Sequence, residues 1–253
     1  MSLLALEFPP ISHLFEWPDF AFKGTPLSIN KTVVVYLAAM ALTMGLFLYA
    51  GSKRRLVPIG LQTIAESGID FVEESVVKPT IGPDGQRFLP FLTTMFFFVF
   101  FTNIFEVIPF IQFPANARMA LPALMAVIVW LIYNYQGFKH QGFGYIKSSL
   151  FPPGVPKALY LLVTPIELLQ VVIIRPASLA IRLWANMVAG HLLLVTFALL
   201  SATLWDSTKV GAVLPFAMLI LMTGFEILVS FLQAFIFTIL TAVYINMASH
   251  PEH

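Results

Sequence analysis

Six ionisable residues sit inside otherwise apolar runs of this 253-residue chain: Glu106, Glu167, Arg175, Arg182, His191 and Glu226. Charges within a membrane-spanning segment cost several kcal/mol, and their default reading is functional. Arginine does not deprotonate in proteins, so Arg182 cannot relay a proton. It can instead hold an opposing carboxylate ionised. At about 4 Å and an effective dielectric near 20, such a pair is worth about 4 kcal/mol, or roughly three pKa units. The same charge repels a hydronium ion. His191 and Glu226 can exchange protons, and together they suit a hydrated path to one side of the arginine. Glu167 lies toward the other end of the same run. Arg175, beside Pro176, reads equally as a structural charge near a bend.

The elements that must position these groups are membrane helices. Apolar residues make up 58% of the chain and charged residues 11%, against about 25% charged in a soluble domain. The expected spans are about 32–50, 88–111, 119–136, 158–204 and 210–247. They form a single membrane domain, residues 31–253, after an N-terminal external or interfacial segment, residues 1–30. That first segment lacks a basic n-region and carries Glu7, His13, Glu16 and Asp19, so it does not read as a signal peptide. Its Phe15, Trp17 and Phe20 suit the membrane interface. The stretch Ile59–Val77 is amphipathic and too charged to span, so it is expected along the membrane surface. Gly137–Lys157, with Pro152, Pro153 and Pro156, reads as a loop.

The last two runs are longer than a membrane requires. A helix over 158–204 would be roughly 70 Å long, against a hydrocarbon core of about 30 Å. Either each is two spans, or the two form a long oblique hairpin. Arg175-Pro176 is the only plausible break, which favours five spans over seven. The fold class is therefore an all-α polytopic membrane protein. Under the positive-inside rule, Lys53, Arg54, Arg55, Arg87, Lys139, Lys147 and Lys157 face the cytoplasm, with the N-terminus outside and the C-terminus inside.

A hairpin also allows a depth test. The pairs Arg182 with Gln233, Asn186 with Ser230, and His191 with Glu226 all centre on the segment Trp205–Lys209. Polar residues of the two helices are thus expected at matching depths. Arg182 and Asn186 share a helix face through their i, i+4 spacing, beside the small residues Ser178, Ala185 and Ala189. Small side chains let another helix approach closely. His191 points away from Arg182.

Three segments carry a family resemblance. Arg175–His191, reading RPASLAIRLWANMVAGH, resembles the signature of subunit a of F-type ATP synthases. So does Leu232–Thr241, LQAFIFTILT, and Asn103–Pro109, NIFEVIP, is similar to that family's Asn-x-x-acid-x-x-Pro segment. The resemblance implies a stator subunit beside a ring of c subunits, with a b-type peripheral stalk as a further partner. Arg182 matches the arginine that faces each rotor carboxylate. Asn186, Ser230 and Gln233 match polar positions toward the rotor, and His191 and Glu226 match the two channel positions. Asn103 and Glu106 match the outer half-channel, and Glu167 the cytoplasmic-side acid.

Other classes fit less well. A stand-alone ion-coupled secondary transporter would show internal repeats and broken half-helices, and neither is visible. A structural scaffold would not need an aligned polar seam. No phosphate loop, metal cluster or nucleophile triad appears, so the chain is expected to make no ATP by itself and to need no cofactor or metal. Nor does a net charge of +1 suggest nucleic acid as a partner. Membrane lipid is the expected surround, in a bacterial plasma membrane.

Overall fold

The computed structural model describes residues 28–52, 57–109, 111–151, 156 and 159–249. The expectations for residues 1–27, for Lys53-Arg54-Arg55, and for Pro152, Pro153 and Lys157 lie outside these. The architecture is all-α, with five helical stretches long and apolar enough to cross a membrane. The helices are α1 (Lys31–Ser52), α2 (Leu61–Val72), α3 (Leu89–Ile104), α4 (Ala120–Gln141), α5 (Gly144–Leu150), α6 (Tyr160–Leu169), α7 (Arg175–Ser207) and α8 (Val213–Ser249). The long C-terminal helix α8 packs on α3, α4 and α7, and α1 and α2 flank α3.

The core between these helices is rich in phenylalanine. Phe96 meets Phe97 and Phe231 edge-on, with ring centroids 5.5 and 5.7 Å apart. Phe71 of α2 lies 5.5 Å from Phe231 and 5.7 Å from Phe235 of α8. Such offset and edge geometries suit the ring quadrupole, and they fasten the amphipathic α2 to the bundle. Gly68 makes this approach possible: a Cβ there would stand 2.3 Å from the Phe97 ring.

The amphipathic stretch extends past α2 as a π-helical turn, Glu73–Val77. Its carboxylates face outward. Glu73 accepts a hydrogen bond from Gln86 Nε2 at 2.9 Å, and Lys78 pairs with both Glu73 and Glu74. The Gln86 and Lys78 hydrogen bonds hold the Glu73 carboxyl below its usual range.

Two helix ends and one connection differ from the sequence reading. The second apolar run stops being α-helical at Ile104. There Glu106 N–H donates to Asn103 O at 3.1 Å and Val107 N–H to Ile104 O at 3.0 Å, tight turns that precede Pro109. Pro109 has no N–H to give Phe105 O, and its ring crowds that carbonyl; Glu106 lies beyond the helix rather than within it. The α4 helix runs to Gln141, where Gly142 takes a left-handed φ of 56°. Part of the expected Gly137–Lys157 loop is helical, since α5 folds back on α4. Tyr145 lies so close to Gly137 that a Cβ there would be 2.5 Å from its ring, and its hydroxyl donates to Asn134 Oδ1 at 3.1 Å.

Arg175-Pro176 is not a break. The chain runs from α6 into α7 through a π-helical turn, Gln170–Ile174, whose wider bond joins Arg175 N–H to Gln170 O. The next bond in that register would join residue 176 to Val171 O, and proline has no N–H to give. Two side chains of α4 supply the missing donors. Trp130 Nε1 and Tyr133 Oη donate to Val171 O at 3.0 and 2.8 Å. Arg175 itself lies over the Tyr244 ring, 5.5 Å from its centroid, a cation–π contact. From Tyr160 to Trp205 the stretch counts 46 residues, about 69 Å at 1.5 Å per residue. That is too long to cross upright.

Candidate functional site

A small cavity of about 10 Å³ lies where the end of α3 meets α7 and α8. It is lined by Asn103 and Glu106 from the α3 end, Asn186 from α7, and Glu226, Ser230 and Gln233 from α8, with Leu183, Met187 and Val229 between them. That volume is room for about one water molecule. Asn103, Glu106, Glu226, Ser230 and Gln233 are all buried.

The hairpin places these groups by register. The α7 helix ends at Ser207 and α8 begins at Val213, so the turn itself covers 208–212. Asn186 and Ser230 line the same cavity, as do Leu183 and Gln233. One turn further along, the residue level with Glu226 is Gly190: a Cβ there would be 2.3 Å from Glu226 Oε1. The absent side chain is the space the carboxylate occupies.

His191 makes its contact on another side. Its Nδ1 is 3.3 Å from Glu106 Oε1, linking α7 to the end of α3. The sequence pairs His191 with Glu226 by depth; in the fold the carboxylate against His191 is Glu106, and Glu226 fills the notch at Gly190. Both carboxylates line the one cavity.

Arg182 is half-buried on α7, one helical turn before Asn186, and lies outside the cavity lining. Ser178 and Ala185 beside it are half-buried, and Ala189 and Ile181 are exposed. Glu167 is half-buried on α6. Fifteen residues separate it from Arg182, about 22 Å along a helix, so the fold does not bring it to the cavity. Among the described residues no group of three or more His, Cys, Asp or Glu has the grouping to hold a metal ion.

Two neighbours of these side chains escape the sequence reading. Gly190 reads as a small residue, and nothing in the sequence says what it faces. Asn116 reads only as part of a connection after Pro114, yet it is completely buried and donates to Asn103 Oδ1 at 2.8 Å. A polar residue within a short turn gives no periodic signal to find it by.

Fold and site together define a multi-pass membrane protein in which two carboxylates, two asparagines, a glutamine and a serine converge from three helices on one small cavity. The family model of the ATP synthase A chain matches residues 33–246, and the chain belongs to that family. It is similar to ATP synthase subunit a of Rhodococcus erythropolis, at 39% identity over 261 residues, covering 99% of this chain and 94% of that one. It is also similar to ATP synthase subunit a of Frankia alni, at 40% identity with 96% and 87% covered. Against ATP synthase subunit a of Hyphomonas neptunium the identity is 35%, with 98% of each chain covered.

Proposed function

We propose that this chain is the proton-translocating stator subunit of an F-type ATP synthase membrane sector. It works beside a ring of c subunits, with a b-type peripheral stalk as the other stator partner. The observation that supports the reading is the cavity: Glu106, Asn186, Glu226, Ser230 and Gln233 line it, His191 stands against Glu106, and Arg182 is one helical turn from Asn186.

Protons enter from outside along Asn103, Glu106, His191 and Glu226 and reach a rotor carboxylate near Asn186, Ser230 and Gln233. The ring carries them round to a second, offset path on the cytoplasmic side, where Glu167 stands. Arg182 keeps the returning carboxylate ionised as it passes, by the Coulomb argument above, and its fixed charge bars a direct leak between the two paths. Each proton crossing 100 mV supplies about 2.3 kcal/mol. The topology that goes with this is a single membrane domain over residues 31–253, preceded by an external segment, residues 1–30. The N-terminus is outside, the C-terminus cytoplasmic, and the membrane is a bacterial plasma membrane.

The deciding experiment is Arg182→Ala in the assembled complex, reconstituted in vesicles. Coupled ATP synthesis is expected to vanish while the complex still assembles. Normal proton-driven synthesis by that variant would overturn the reading.

A further inference from the structure

The connection between α3 and α4 carries a group that this proton path does not yet use. Asn116 lies in a short 3-10 turn, Ala115–Ala117. The connection is fastened to the bundle at three points. Lys31 Nζ donates to Ile111 O at 3.1 Å, Tyr36 Oη to Ala115 O at 2.6 Å, and Trp184 Nε1 to Ala117 O at 2.8 Å. Asn116 is thereby held, fully buried, against the last turn of α3.

Its hydrogen bonds fix a direction. Thr102 Oγ1 donates its one proton to Val99 O at 2.9 Å, so toward Asn116 it can only accept. Asn116 must therefore present its NH₂ group there, and Nδ2 donates to Thr102 Oγ1 at 3.1 Å. The second hydrogen of the same Nδ2 goes to Asn103 Oδ1 at 2.8 Å. With its oxygen bound on that side, the Asn103 amide has its nitrogen turned the other way. Asn103 Nδ2 is buried without a partner in the protein, and Asn103 lines the cavity that holds Glu106 and Glu226. A free amide could flip; this one is held, because flipping it alone would set NH₂ against NH₂.

We propose that Asn116 is a positioning residue for the outer proton path, acting with Thr102 to hold Asn103 so that its N–H donor faces the cavity. An N–H there favours a carboxylate or an oriented water over the reverse dipole. The proposal rests on Asn103 belonging to that path.

The test is a double-mutant cycle on passive proton flux through the assembled membrane sector in vesicles, normalised to the amount of complex present. Asn103→Ala and Asn116→Ala are each expected to lower flux about fivefold to tenfold, the range that one lost buried hydrogen bond covers. The pair together should lower it no more than Asn103→Ala alone, because Asn116 acts through Asn103. A merely structural Asn116 would add its own loss in the double variant, and that additivity would overturn the proposal. So would wild-type flux in Asn116→Ala beside a reduced Asn103→Ala. If Asn103→Ala itself keeps full flux, its place in the path fails and the proposal with it. Should Asn116→Ala not assemble, Thr102→Val and Thr102→Ser carry the same test. The valine variant is expected to lose flux only when Asn103 is present, and the serine variant, which keeps the hydroxyl, to retain it. Equal behaviour of the two would reject the idea.

Discussion

Glu226 of α8 occupies the space where a side chain on Gly190 of α7 would be: a Cβ there would stand 2.3 Å from Oε1, 2.5 Å from Cδ and 2.7 Å from Oε2. The atoms in the way are the far end of a flexible side chain, so a methyl group would move the carboxylate rather than the helices. Gly190→Ala should therefore fold and assemble at least as well as the parent, since alanine is favoured over glycine in a helix by about 1 kcal/mol. ATP-driven proton pumping is expected to fall about tenfold, because a displacement near 1 Å is costly where proton donors and acceptors must align. Unchanged pumping with assembled complex would mean that the position of Glu226 does not matter.

The contact of His191 with Glu106 joins α7 to the end of α3 at 3.3 Å. Both side chains sit in low-dielectric surroundings, so removing either leaves the other poorly satisfied. His191→Ala and Glu106→Gln should each slow proton-driven ATP synthesis, and the double variant should be less impaired than the product of the two. A coupling of about 1–3 kcal/mol is expected. Strict additivity would place the two residues in independent roles.

The carbonyl of Val171, which Pro176 leaves without its helical donor, depends on Trp130 and Tyr133. Tyr133→Phe alone should lower stability in detergent by about 1 kcal/mol. Trp130→Phe in addition should cost more than twice that, because the buried carbonyl then has neither donor. Pro176→Ala restores a backbone N–H in the register that needs it and should soften the loss. Thermal unfolding of the purified chain measures all three; equal losses with and without Pro176 would contradict this account.

At the amphipathic stretch, Glu73 is held by Gln86 and Lys78, and its carboxyl titrates below the usual range. A depressed acid contributes stability above its unfolded pKa and loses it as pH falls through the folded one. Its contribution should thus be present at neutral pH and fade as pH falls below the ordinary carboxylate value. Gln86→Ala should move the Glu73 midpoint up toward the ordinary carboxylate value, as read by carboxyl NMR in detergent. An unmoved midpoint would leave Lys78 as the sole cause.

The sequence by itself determined the membrane class and favoured five spans over seven; the unbroken helices Tyr160–Trp205 and Val213–Ser249 decided it. Run length against bilayer thickness is a local property, so it is legible before any tertiary contact is known. The matching depths of Asn186 with Ser230 were legible too, because an antiparallel pair of helices ties position number to depth. The partners across helices were not. That Glu226 fills the vacancy of Gly190 depends on how α7 and α8 pack, and that His191 meets Glu106 and Asn116 holds Asn103 depends on how α3 ends before Pro109 and where its connection is pinned. Hydrogen bonds and close packing act over a few ångströms, whereas the residues they join here lie up to 85 positions apart along the chain. Only the packed bundle could decide them.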